Sequence, residues 1–279
     1  MTYRRVLLLL IVGPLAAVGT VSAYWYWAAG QVGAAIADWR AVQQARGYEI
    51  AYREPEIGGY PLAITVRLED PRIAAPEGWR WSGERLAGRA SLWAPLRLSL
   101  DLPKDQQLSG TLGGLEREAT LRAEEATALV VLHPGGWLGE VQAEFQRAVL
   151  DDSLLGTFES ARLEATLTQR GPAPAGADYP AATLRLAARG VTLSETVPQP
   201  LGPEVTRLFL EAELHGAIPA GEPRAALTAW RDSGGLVEVP GFALDWGPLA
   251  VSGDGTFALD ELLRPRGAFT ARFEGLPET

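Results

Sequence analysis

The sequence contains no cysteine, so a disulfide framework, a thiolate nucleophile and a cysteine metal site are all excluded. Histidine occurs only twice, at His133 and His215. His133 precedes Pro134 in a turn, and His215 ends a strand before Gly216. Neither has a second histidine or a carboxylate at metal-ligand spacing along the chain, so the sequence predicts no metal site. Positive charge is also scarce. The formal net charge is -9, and the main local excess of basic residues is the short N-terminal tail. No basic footprint for nucleic acid exists. Also missing are a Gly-x-Ser-x-Gly elbow and a Ser-x-x-Lys motif. Gly253-Asp254-Gly255 lacks both the Lys-Ser/Thr of a phosphate loop and the spaced acids of a calcium loop, and reads as a strand-joining turn or bulge. Glu124-Glu125 and Asp151-Asp152 are adjacent in sequence. On strands each couplet points to opposite faces, which argues against a paired-carboxylate hydrolase. The sequence therefore predicts no catalytic residues and no cofactor.

What is present begins with an unbroken apolar run, Val6–Trp27, behind Arg4 and Arg5 and ending in Tyr24-Trp25-Tyr26-Trp27. A bilayer core takes about 20 apolar residues at helical rise. The two arginines favour a cytoplasmic N-terminus, and the aromatic cluster suits the far interface. A cleaved signal peptide is the alternative, with Val21-Ser22-Ala23 as its small-residue site. Both readings export the rest of the chain. The expected organisation is a tail at 1–5, an inner-membrane anchor at 6–27 and a joining helix at 28–46 stopped by Gly47. A periplasmic body at 48–279 follows.

From Tyr48 onward the hydrophobic period changes from helical to alternating. Leu62–Glu69 places Leu62, Ile64, Val66 and Leu68 on one side of a half-buried strand. Short alternating segments then recur, separated by Pro and Gly turns such as Pro103-Lys104-Asp105 and Gly247-Pro248. Val141–Leu150 fits either period and is read as a strand because its neighbours are strands. Arg224–Asp232 carries Leu227 and Trp230 at helical spacing before Gly234-Gly235, which predicts a short helix. Gly171–Pro180 is the candidate joint. Leu163-Glu164-Ala165-Thr166-Leu167 echoes Leu210-Glu211-Ala212-Glu213-Leu214, each followed by Pro-Ala-Gly, as repeated layers of a sheet would. The fold class expected is mainly β: an extended or curved antiparallel sheet, with an N-terminal transmembrane helix, a joining helix and a short C-terminal helix. Many short, Pro-punctuated strands favour an open sheet over a closed barrel.

Gly58-Gly59-Tyr60-Pro61, the Gly78-Trp79 turn, and Leu227-Thr228-Ala229-Trp230-Arg231-Asp232-Ser233-Gly234-Gly235 followed by Leu244-Asp245-Trp246-Gly247-Pro248-Leu249 carry a resemblance. So does Gly255-Thr256-Phe257-Ala258-Leu259-Asp260 with Pro265-Arg266-Gly267. Together they resemble domain-of-unknown-function family 2125, envelope proteins found mainly in alphaproteobacteria. The resemblance spans most of the chain and implies no activity and no catalytic residues. It also implies a further helix after the last strand, which is missing or shortened here.

Trp79, Trp81, Trp93, Trp137, Trp230 and Trp246 stand at turns or strand ends of the exported part, where tryptophan serves as a core and corner anchor. The functional alternative is an aromatic-lined apolar groove for acyl chains. Its candidate lining is Leu62, Ile64, Val66, Trp79, Trp81, Leu96 and Leu98. The leading expectation is a non-enzymatic, membrane-anchored periplasmic protein that binds or shuttles phospholipid or another apolar ligand. Alternatives are a structural or assembly factor recruiting envelope proteins and, more remotely, a hydrolase.

Overall fold

A computed structural model describes residues 2–112, 115–135, 137–154, 156–171, 180–216, 219 and 223–275; among these, the side chains of 2–14, 17, 112, 115 and 223 are not described. The chain opens with one continuous helix, α1 (Thr2–Ala45). At 44 residues it is ~66 Å long at 1.5 Å per residue. The segments expected as anchor and joining helix therefore form a single helix with no break between them. Among the described residues no helix is long and apolar enough to cross a membrane. Part of the predicted span, 6–14 and 17, lies outside the described side chains.

Helix α1 stops by a Schellman arrangement. Tyr48 N–H donates to the Gln43 carbonyl at 3.1 Å, and Gly47 N–H donates to Gln44 at 3.0 Å. Gly47 takes φ 90°, a conformation that residues with a Cβ resist. Near this end the Arg40 guanidinium lies over the Tyr52 ring, 5.5 Å from its centroid.

The body is an open, mainly antiparallel β structure that branches at one strand. Five strands form the first branch: β2 (Glu56–Gly58), β3 (Ala63–Glu69), β6 (Arg85–Ser91), β7 (Ala94–Asp101) and β10 (Glu125–Leu132). They pair in that order. A second branch runs through β1 (Glu49–Ala51), β4 (Arg72–Ala74), β5 (Arg80–Gly83), β8 (Asp105–Leu112) and β9 (Leu115–Arg122). Both meet β11 (Leu138–Asp152). Its first part pairs with β10 and its last four residues pair with β9. Beyond β11 a trunk of long strands continues as a meander: β12 (Gly156–Gln169), β13 (Ala182–Thr192), β14 (Glu204–His215), β15 (Leu236–Trp246), β16 (Leu249–Leu259) and β17 (Pro265–Glu274). Helix α2 (Pro223–Asp232) is inserted between β14 and β15. The echoed segments Leu163–Leu167 and Leu210–Leu214 fall on β12 and β14, alternate strands of one trunk. Most of the Pro-Ala-Gly segments that follow them, and most of the candidate joint at 171–180, lie outside the described residues.

The trunk carries a crease. Residues 147, 161, 190 and 206 are skipped in the pairing of four successive strands, and the line ends at an irregularity between β14 and β15. Arg147 and Gly190 have φ 47° and 57°. Across this line the inward side chains step by three residues instead of two. Phe145 and Ala148 thus share a cluster, as do Ala188 and Val191. Ser160 is the one buried polar residue among those described, and its hydroxyl reaches the carbonyls of Arg162 and Arg189, each at 3.1 Å. Backbone groups loosened by the crease are thereby met. A second irregularity between Val239 and Phe242 accommodates Pro240, which has no N–H for the ladder.

Candidate functional site: an apolar sheet face

Directly opposed residues in an antiparallel pair project to the same face. One such row starts at Ile57, Val66 and Gly88 and runs through Leu100, Ala128 and Ala143. It continues through Ala165, Leu186 and Leu210 to Phe242, Gly253 and Ala271. Twelve strands each contribute one residue, and none of the twelve is polar. At about 4.8 Å per strand the row is roughly 50 Å long. A parallel row passes through Phe145, Leu163, Ala188, Leu208, Leu244 and Val251.

The opposite face of the trunk is charged. Arg162 pairs with Glu144 at 3.1 Å, Arg185 with Glu211 at 2.8 Å and Arg207 with Asp245 at 2.9 Å. The hydrogen bond to Glu211 and the attraction of its charge, with a smaller contribution from Glu213, raise the Arg185 pKa above its ordinary value. These cross-strand pairs mark the solvent side.

The apolar face has little cover. Among the described residues no large side chain is fully buried; the buried set is mostly alanine and valine. Leu186 and Leu208 are each 39% exposed in the middle of the trunk. Phe269 and Phe273 on β17 are more than half exposed. An ordinary core would bury such residues almost completely.

At the β2–β3 end the face is covered by α1. Trp25 is 7% exposed and its indole N–H donates to the Ala63 carbonyl at 2.6 Å. Ala29, Ile64 and Leu92 complete that cluster. Beside it lies a cleft of about 450 Å³, walled by Tyr24, Trp27, Val32 and Ile36 of α1. Across it stand Ile64, Val66 and Leu98. The helix thus opens directly onto one end of the apolar face.

Of the residues expected from sequence to line a groove, Ile64, Val66 and Leu98 are brought together in this cleft. Leu62 sits in the turn before β3, 58% exposed, because the strand begins one residue later. Leu96 has the parity of Leu98 but is solvent-facing near the start of β7. Trp79 and Trp81 belong to the second branch. Trp79 lies in the turn before β5, edge-on to Tyr48. Trp81 donates to Gln106 at 3.1 Å and lines a separate, more polar cleft of about 520 Å³ with Arg72, Arg80 and Glu118. In the N-terminal aromatic cluster Trp25 is buried, whereas Tyr24, Tyr26 and Trp27 are exposed. Arg4 and Arg5 have undescribed side chains.

Sequence spacing alone missed the long apolar row. Each strand's alternation is legible, yet only the register shows that twelve apolar faces coincide. Gly253-Asp254-Gly255 is also not a turn. It lies inside β16, where a Cβ on Gly253 would meet the Thr270 carbonyl at 2.1 Å and the Phe242 ring at 2.6 Å. The glycines make room for Phe242 and Phe269, whose rings stand edge to face 6.4 Å apart.

Histidine needs a further correction. His215 has two carboxylates nearby, Glu213 from its own strand β14 and Glu238 from the adjacent β15. Glu213, His215 and Glu238 converge with their donor atoms within 4.8 Å of one another. His133 instead stacks on Trp137 at 3.6 Å.

The fold and site thus define a class: an open antiparallel sheet with one charged face and one extended apolar face, entered from a long N-terminal helix. The sequence profile of the family described as "uncharacterized protein conserved in bacteria (DUF2125)" matches residues 25–279, and the chain belongs to that family. No curated protein and no solved structure matches the chain.

Proposed function

We propose that the protein is held at the inner membrane by the first part of α1 and uses its apolar sheet face in the periplasm as a trough for lipid acyl chains. It does so as a non-enzymatic binding or shuttling protein. The observation that carries the reading is the twelve-residue apolar row, along which Leu186 stands 39% exposed and, among the described residues, no large side chain is fully buried. Leaving so much apolar surface in water is costly, at about 25 cal/mol per Å², and an acyl chain laid along it removes that cost. The cleft between α1 and β3 supports the direction of entry. A chain leaving the bilayer beside Tyr24 and Trp27 meets Ile64 and Val66 next.

The test is native mass spectrometry of the full chain extracted in mild detergent. Co-purifying phospholipid, displaced by added fatty acid, is expected. A protein that never carries lipid, even after incubation with phospholipid vesicles, contradicts the proposal. A reporter fused to the C-terminus tests the export of the body, which predicts activity only outside the cytosol.

A second reading, assembly with other envelope proteins, has one observation in its favour. Among the described residues strand β17 pairs with β16 alone, and all ten of its residues are exposed. Such an edge can accept a strand from a partner and lengthen the trough. Specific co-purification of a membrane partner, lost on introducing proline within β17, is the outcome this reading predicts.

A further inference from the structure

The charged face of the trunk follows one rule where two glutamates stand directly opposed: Glu144 faces Glu164 across β11 and β12, and the Arg162 guanidinium bridges them at 3.1 and 2.6 Å. The end of β14 breaks it. Glu213 lies directly opposite Glu238 of β15, with His215 two residues further along the same face. Like charges directly opposed across an antiparallel pair destabilise it. Arg185 attracts Glu213 but gives its hydrogen bond to Glu211. The irregular register between Glu211 and Glu213 turns this end of β14 so that the imidazole and both carboxylates converge.

His215 Nε2 is 3.8 Å from a Glu213 oxygen and 3.5 Å from a Glu238 oxygen. Both distances exceed a hydrogen bond. The nitrogen is nonetheless shielded from solvent and has no hydrogen-bond partner, an arrangement that costs free energy when nothing meets the buried atom. Donors bound to one zinc ion at about 2.0–2.2 Å stand roughly 3–3.5 Å from one another. The observed separations therefore close onto a cation with a small inward movement. One imidazole nitrogen and two carboxylate oxygens form a borderline donor set suited to zinc or manganese.

We propose that Glu213, His215 and Glu238 bind a single divalent transition-metal ion of the zinc class, with water completing its coordination. The ion replaces the repulsion between Glu213 and Glu238 by shared attraction and joins the ends of β14 and β15. It also steadies α2, because the Trp230 indole donates to the His215 carbonyl at 2.8 Å. The site lies on the face opposite the apolar row and does not depend on lipid binding there.

The test uses the full chain in detergent, stripped with chelator and titrated with Zn²⁺, Mn²⁺ or Ca²⁺ alone by calorimetry, with thermal melting in parallel. One equivalent of Zn²⁺ is expected to bind and to raise the melting temperature, with Ca²⁺ much weaker. His215→Gln and Glu238→Gln are each expected to weaken Zn²⁺ binding by roughly tenfold or more, whereas Glu195→Gln, remote on the surface, leaves it unchanged. Circular dichroism confirms that each variant keeps its strands. Absence of stoichiometric Zn²⁺ binding overturns the proposal, as does binding indifferent to both substitutions. So does a melting temperature that metal never moves but that falls as pH rises through the imidazole range, which would make the His215 proton, not a metal ion, the partner of the two carboxylates.

Discussion

At the scale of single residues, Trp25 joins the helix to the sheet. Its ring is nearly buried, edge-on to Tyr60 at 5.6 Å, and its N–H satisfies the Ala63 carbonyl. Trp25→Ala removes a large apolar contact and orphans that carbonyl. The expected cost is roughly 3–5 kcal/mol, seen as a lower midpoint in denaturant and as new proteolytic sensitivity between α1 and β3. Asp260 is the clearest titrating group. Hydrogen bonds from the Arg264 side chain and backbone, with a further one from Leu262 N–H, lower its pKa from 3.8 to about 2. The folded state therefore favours the ionised form. The stability this contributes is complete above pH 3.8 and is lost as pH falls through about 2. In Asp260→Asn that segment of the stability–pH curve is expected to be flatter than in the wild type, measured by melting between pH 5 and pH 2 (~1 unit steps suffice).

At the scale of elements, β16 depends on the absence of side chains at two of its positions. In Gly253→Val the new side chain collides with the Thr270 backbone and with Phe242. The β16–β17 pairing is expected to open, so that β17 amides lose hydrogen-exchange protection while β12 and β13 keep theirs. Much at this scale is legible in the sequence. Gly47 marks the end of α1, Leu227 and Trp230 mark α2, and the alternation in β12 and β14 is plain. The ambiguous Val141–Leu150 is a strand because β10 and β12 flank it. The crease is not legible, since its three-residue steps, such as Phe145 to Ala148, look like faults in the alternation until four of them align. Trp79 and Trp81 misled for a related reason. Their two-residue spacing suggests one strand face, but Trp79 precedes the strand and both belong to the branch away from the apolar row. Glu238 could not be assigned to His215 by spacing either, because a loop and α2 intervene in sequence where the sheet brings them side by side.

At the scale of the whole molecule, the branching at β11 and the two-faced trunk decide what surface is offered. The charged face carries cross-strand ion pairs through the middle of the trunk; the other face offers apolar side chains with, among the described residues, no second sheet on top of them. This asymmetry is the central claim, and it has a direct test. A photo-crosslinking amino acid placed in turn at residues 184 to 188 of β13 samples both faces through the middle of the trunk. Leu184, Leu186 and Ala188 face the apolar row, whereas Arg185 and Ala187 face the ion pairs. Illumination of cells is predicted to attach phospholipid at 184, 186 and 188 and to leave 185 and 187 unlabelled. Equal labelling at all five positions, or none at any, would contradict the account.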